Sequence, residues 1–314
     1  MDAKERNLIA KVSKLYYLEG WTQNEICKKV DLSRPIISKI LQQAREKNIV
    51  EVYMKDETVH TVELERKLEK KYGLHEAVVV SVSNKGPEMV RRRLGQAATA
   101  YLSKKINQLN TIGVSWGKSV STFVEEFQSQ QQSHIHLVPL IGGMGQGFVQ
   151  YHSNHLSFQL AQQLNTSSSY LYAPAVAETA DLKHAIKNSK DVAAVLEEGR
   201  KVDIAIVGVS SPSCESTMVG MGYLNEQDVR TLKDSGAVGD INSCFYNRDG
   251  QLVQHPINDR VIGLDLEEIK EIPEVLAIAE GAYKAEGLHV ALKSKYLDVL
   301  VTDDKTAESL LEYD

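Results

Sequence analysis

Two hydrophobic patterns divide this chain. Up to residue 44 the apolar positions recur at helical spacing; beyond residue 73 they gather into short runs, often bounded by glycine, that alternate with helix-period stretches. In "KERNLIAKVSKLYYL", Leu8, Ile9, Val12, Leu15 and Tyr16 fall on one side of a helix. The sequence "EGW" ends it. "TQNEICKKV" then opens with Thr22 and has Glu25 three positions on, a capping box ahead of a short helix. After the turn "DLS", Ser33 is a good N-cap and Pro35 falls where a missing N–H costs nothing. The third helix, "RPIISKILQQAREK", buries Ile37, Ile40, Leu41 and Ala44, and "NIVEVYMKD" alternates like a strand. Helix, short helix, tight turn, longer helix and strand make a winged helix-turn-helix pattern.

The polar positions of that third helix carry the chemistry. Arg34, Ser38, Lys39 and Gln42 are base-edge and phosphate donors on the solvent side, with Ser33 and Pro35 at the helix start. Thr22 and Gln23, opening the preceding helix, are placed to donate to a backbone phosphate. These eight residues form a candidate contact set for double-stranded operator DNA. Such modules act in symmetric pairs, which implies a dimer. The plainer alternative is a small helical domain with a solvated polar face.

Residues 57–72, "ETVHTVELERKLEKKY", read as a charged helix with Val62, Leu64, Leu68 and Tyr72 as apolar points. It is either a linker helix that pairs with its twin or a helix packed on its own body. The expected organisation is a DNA-binding domain over 1–56, a linker helix over 57–72 and an α/β domain over 73–314. Candidate strands are "EAVVVSV", "TIGVSW", "HIHLVPLIGG", "SYLYAPAV", "VDIAIVGV", "GAVGDI", "EVLAIAEG" and "LDVLVTD"; candidate helices cover 87–108, 118–128, 154–164, 181–198, 225–234, 281–293 and 304–312. This alternation predicts a mainly parallel sheet, whose ligands sit outside the carboxyl ends of the strands.

That rule selects four loops. "SWGKS" offers backbone amides, Lys118 and the hydroxyls of Ser115 and Ser119 to an anion. "PLIGGMGQG" is glycine-rich, and His152, Asn154 and Gln159 follow it within reach of sugar hydroxyls. In "VGDI", Asp240 suits bidentate acceptance from a polyol. In "VTDDKTAESLL", Asp303 or Asp304 caps the last helix while Lys305 stands in its first turn, where acids are the usual choice; a bound phosphate gives the lysine a reason.

Composition narrows the classes. The 314 residues are 42% hydrophobic and 25% charged, the balance of a soluble globular chain of about two domains. No apolar run is long enough to cross a membrane, and the charged start lacks the apolar core of a signal peptide. Cys27, Cys214 and Cys244 suggest no disulfide framework. A cytoplasmic location is expected. The net charge of −6 is uneven: residues 1–56 carry eleven Lys/Arg against eight Asp/Glu, a net of +3, which leaves −9 for the rest. A small basic module on an acidic body fits local DNA contact.

Motifs exclude other chemistry. There is no Walker sequence, and "IGGMGQG" does not complete the dinucleotide fingerprint, so no cofactor is expected. Gly113, Ser115 and Gly117 match the spacing of a nucleophile elbow, but the late base it needs is absent, since His289 lies within a predicted helix. His134 with His136 and His152 with His155 lack partners for a metal site. The remaining rival is a sugar-phosphate isomerase or deaminase with an added helical domain. It requires a catalytic acid/base pair, and only Asp240 offers itself.

Taken together, "LYYLEGWTQNEICKKVDLSRPIISKILQQAREKNIVEV", "IGVSWGKSV", "VPLIGG", "AVGDINSCFYNRDG" and "LVTDDKTAESLL" resemble the SorC family of bacterial sugar-responsive transcriptional regulators, in order and over almost the whole chain. The resemblance implies a winged helix-turn-helix domain, a Rossmann-like effector domain similar to sugar-phosphate isomerases and deaminases, a homo-oligomer (commonly a tetramer) and a phosphorylated sugar as inducer. It implies Ser115, Gly117, Lys118, Ser119 and Lys305 on the phosphate side, and Gly142, Gly143, Asn154, Gln159 and Asp240 on the sugar side. Ile141 stands where an amine could form an imine with a sugar, so binding is expected to be noncovalent. The runs look nearest to sorbose- and sorbitol-type members.

Overall fold

A capping box starts the first unit's turn as its sequence dictates. Thr22 accepts the Glu25 N–H through its hydroxyl oxygen, and the Glu25 carboxylate accepts the Thr22 N–H at 2.8 Å. The computed structural model describes residues 3–47, 49–50, 57–82, 86–128, 134–143, 147–213 and 216–314. They fall into two compact units, Met1–Asp56 and Glu57–Asp314.

In the first unit α1 (Ala3–Ser13), α2 (Gln23–Val30) and α3 (Arg34–Glu46) enclose Ile9, Val12, Leu15, Ile26, Ile37, Ile40, Leu41 and Ala44. One expected core position differs. Lys14–Leu18 form a π-helical turn, with the Glu19 N–H donating to Lys14 O, and the wider turn brings Tyr17 rather than Tyr16 against the core. The expected wing, over 48–56, lies outside the described residues apart from Ile49 and Val50, which pack on this core.

The second unit runs α4 (Glu57–Tyr72), β1 (Glu76–Val80), α5 (Pro87–Lys105), β2 (Thr111–Val114), α6 (Lys118–Glu126), β3 (His136–Pro139), α7 (Ser153–Leu164), β4 (Ser167–Ser168), α8 (Ala180–Lys187), α9 (Lys190–Arg200), β5 (Ile204–Ser210), α10 (Thr217–Gly220), α11 (Glu226–Asp234), β6 (Gly239–Ile241), β7 (Cys244–Tyr246), α12 (Leu266–Lys270), β8 (Val275–Ile278), α13 (Ala285–Lys293), β9 (Val299–Asp303) and α14 (Asp304–Glu312). Seven strands pair in parallel in the order β1-β9-β8-β5-β2-β3-β4. Alternate residues feed two cores. Ala205, Val207 and Val209 of β5 face one, with Leu68 of α4 and Leu310 of α14; Ile204 and Ile206 face the other, with Leu94 of α5 and Phe123 of α6. Covering both faces explains why the strands read as continuous apolar runs.

Three expectations change, and one open alternative narrows. The segment 57–72 is the helix packed on its own body: Leu64, Leu68 and Tyr72 are buried, and the Tyr72 hydroxyl donates to Leu310 O at 2.8 Å. At the same end of this seam Lys71 donates to the carbonyls of Leu310, Leu311 and Tyr313, and nearer the start of α4 His60 lies 2.9 Å from Glu308. "SYLYAPAV" makes only isolated bridges at Pro174 and Val176, because proline cannot donate to a ladder. The helix expected over 181–198 breaks at Asn188 and Ser189 into α8 and α9. Finally, β6 pairs antiparallel with β5 and turns through Asn242 and Ser243, both left-handed, into β7.

Candidate functional site

On the first unit, α3 turns Arg34, Pro35, Ser38, Lys39 and Gln42 to solvent, opposite its buried Ile37, Ile40, Leu41 and Ala44. Ile36, 45% exposed, joins that face, and an apolar side chain there suits a thymine methyl; beside Pro35 and Ile37, nothing in the sequence sets it apart. Two expected donors are already engaged. The Thr22 hydroxyl donates to Glu25 at 2.7 Å, and the Gln42 amide donates to Glu46 at 2.8 Å. Ser33 occupies the N-cap position of α3 by its extended backbone, but its side chain makes no cap hydrogen bond. Gln23, the first residue of α2, is part-exposed.

On the second unit the carboxyl ends of β2, β5, β8 and β9 surround a cavity of about 580 Å³. The crevice lies between β2 and β5. From there the chain goes one way through β3 and β4 and the other way through β8 and β9, so the connecting loops part and leave room. Its wall includes Ser115, Gly117, Lys118, Ser119, Asp240 and Lys305, six of the ten positions expected from the sequence.

The other four lie elsewhere, each for a physical reason. At Gly142 a Cβ would stand 2.5 Å from the carbonyl oxygens of Ala173 and Pro174, so this glycine permits a close backbone approach. Gly143 donates to Ala173 O and accepts from Ala175 N–H at 2.7 Å in the same seam. The Asn154 amide donates to Leu171 O at 3.0 Å and accepts Leu171 N–H at 2.8 Å. Gln159 is part-exposed within α7 and does not line the cavity.

Within the pocket the roles also shift. Ser115 is buried and donates to Asn242 Oδ1 at 2.7 Å, while Asn242 donates onward to Leu140 O and Leu264 O. An amide cannot take a proton from that serine, so its hydrogen-bond partner is not the base that a nucleophile elbow needs. Ser119 donates to Glu280 Oε2 at 3.0 Å. Lys118 and Lys305 are exposed at the mouth, at the starts of α6 and α14. Asp303 caps α14, accepting Thr306 N–H at 2.9 Å and the Thr306 hydroxyl at 2.6 Å.

The sequence reading missed Arg91, Asn242, Glu280 and Lys284. Glu280 lies two residues past the end of β8 and precedes Gly281, which places it just beyond a strand end; nothing in "RRR" marks Arg91 as the arginine that faces inward. Lys284 is buried and lies near Asp240. Burial pushes the Asp240 carboxyl up to about 7, against the opposing pull of the Lys284 ammonium and the Ser243 N–H. Among the described residues, no group of three or more His, Cys, Asp or Glu could hold a metal ion, and no helix is long and apolar enough to cross a membrane.

Comparisons with known proteins agree with this arrangement. The profile of the "Putative sugar-binding domain" family matches residues 56–312. The deoxyribonucleoside regulator of Bacillus subtilis is 30% identical over 311 residues, with 99% of each chain covered. A DeoR family transcriptional regulator from Listeria monocytogenes is 43% identical with a TM-score of 0.75, covering 80% of this chain and 99% of that one. The full-length sorbitol operon regulator SorC of Klebsiella pneumoniae is 29% identical with a TM-score of 0.76, covering 99% of this chain and 100% of its own. Identities of 30% and 29% do not separate a deoxyribonucleoside subgroup from a sorbitol one. These relatives are named as regulators rather than enzymes, over essentially their whole length. The chain belongs to the SorC family of transcriptional regulators, with a sugar-binding domain as its larger part.

Proposed function

We propose that this regulator controls a carbohydrate-catabolism operon from the cytoplasm and that a phosphorylated sugar or sugar alcohol, bound noncovalently, sets its affinity for operator DNA. The observation that carries this reading is the charge of one pocket: Arg91, Lys118, Lys284 and Lys305 surround a cavity that also holds the buried Asp240. Cations at the mouth suit a phosphate, and a buried carboxylate beside a lysine suits the hydroxyls of a polyol. The sugar-operon and deoxyribonucleoside names of the relatives point to the same ligand class.

The first unit reads the operator through α3, with Arg34 and Lys39 reaching the major groove. The regulator works as a homo-oligomer, at least a dimer. An exposed aromatic cluster supports this: Tyr170 stacks on Tyr172 with centroids 5.9 Å apart, Phe158 packs tilted against Tyr170 at 6.3 Å, and Tyr172 is 83% exposed. The effector acts only through its difference in affinity for the two arrangements of the oligomer.

Thermal-shift screening against phosphorylated pentoses, hexoses and hexitols, each beside its unphosphorylated form, tests the ligand class. A specific phosphorylated binder raises the melting temperature. Lys305→Ala is expected to lower that affinity about tenfold while operator binding without effector stays intact. Equal shifts from the phosphorylated and plain sugars would refute the phosphate reading.

A further inference from the structure

Among the described residues three carboxylates line the pocket, and two have evident duties. Asp303 is spent as the cap of α14, and Asp240 lies buried near Lys284. The third, Glu280, stands among the donors of the anion cradle itself. Its Oε2 accepts the Ser119 hydroxyl at 3.0 Å, and its Oε1 lies 3.5 Å from Arg91 Nη1. The side chain is only 16% exposed, so the negative charge is held within the cavity wall. Ser119 sits in the first turn of α6, where the helix dipole also favours an anion.

We propose that Glu280 is the specificity-determining residue of this pocket: it competes with the effector's anionic group for Ser119 and Arg91, and only a group with more charge and more acceptor oxygens than a carboxylate displaces it. The proposal rests on the phosphate reading and sharpens it. A phosphate brings close to two charges and three acceptor oxygens. A sugar acid brings one charge, and it meets a carboxylate that is already positioned and tethered. Neutral sugars offer nothing to replace Glu280 on Arg91.

Displacement also has a built-in outlet. The next residue, Gly281, has φ 103°, and a Cβ there would stand 2.5 Å from a Tyr283 ring carbon. Its N–H donates to Asp303 at 3.1 Å and to the Thr306 hydroxyl oxygen at 2.9 Å. Movement of Glu280 is thus felt at the first turn of α14.

Titration calorimetry of the full chain with inorganic phosphate and with acetate tests the competition, using wild type, Glu280→Gln and Glu280→Ala. Gln keeps the shape and Ala removes it, so the pair separates charge from packing. Both variants are expected to bind phosphate about tenfold more tightly than wild type and to gain acetate binding. If wild type binds phosphate and the variants bind it equally or less well, Glu280 does not compete, and the phosphate reading stands without it. If neither wild type nor variants bind phosphate at all, the competition and the phosphate reading fall together.

Discussion

The two units build their surfaces in opposite ways. The candidate DNA face is drawn from one contiguous stretch, residues 22–42, and each of its helices carries its own start signal within that stretch. The pocket is drawn from segments as far apart as Val82 and Lys305, brought together only when seven parallel strands are in register. A local surface is specified by turns and caps, so it survives as long as its small core does. A long-range one is specified by the whole sheet, and its residues carry little mark of their destination.

The sharpest way to break this comparison is to truncate the small core. Ile37→Ala removes a fully buried side chain from a unit with few others, at a cost of about 2–5 kcal/mol. Operator binding should be lost while the larger unit keeps its own melting transition and its response to effector. A common shift of both transitions in calorimetry would mean that the units are not separable.

Next in size, Arg34→Ala should weaken operator binding by about 1–3 kcal/mol if it reads a base, with the thermal shift by effector unchanged. Binding measured at several salt concentrations gives the slope as well. A normal affinity for operator would remove Arg34 from the recognition face.

The smallest effect probes the pocket. Because the folded chain raises the Asp240 carboxyl to about 7, it holds this proton where the unfolded chain has released it. The stability from this group is therefore full below its ordinary value of 3.8 and is lost as pH rises through about 7. Effector binding follows the reverse course, since the ionised form accepts hydroxyls more strongly and with both oxygens. Affinity should rise by at most about tenfold from about pH 6 to about pH 8, a dependence that Asp240→Asn reduces to what the phosphate's own ionisation leaves. An identical pH profile in the variant would show that Asp240 does not face the ligand.

Legibility followed the same division. The Thr22 and Glu25 cap, Pro35 and the inward residues of α3 were readable because each depends on neighbours a few positions away. Tyr17 was not, since a π turn shifts the register without a residue that announces it. In the large unit the strand ends could be read, and with them Ser115, Lys118, Asp240 and Lys305. Gly142, Gly143 and Asn154 stand outside this cavity, because glycine and asparagine also serve backbone approach and loop bracing. Arg91 and Lys284 reach the cavity from elements that reading strand ends does not inspect.

One feature of the large unit bears on how far a signal can travel. The nine-residue α14 spans roughly 14 Å at the usual rise per residue, too short a rod to flex gradually. Its first turn is tied to Gly281, and its last carbonyls are clamped by Lys71 and Tyr72 of α4. A rigid rod held at both ends cannot dissipate a push. Under the proposal above, a displacement entering beside the cavity would leave at α4, the helix that follows the first unit in the chain.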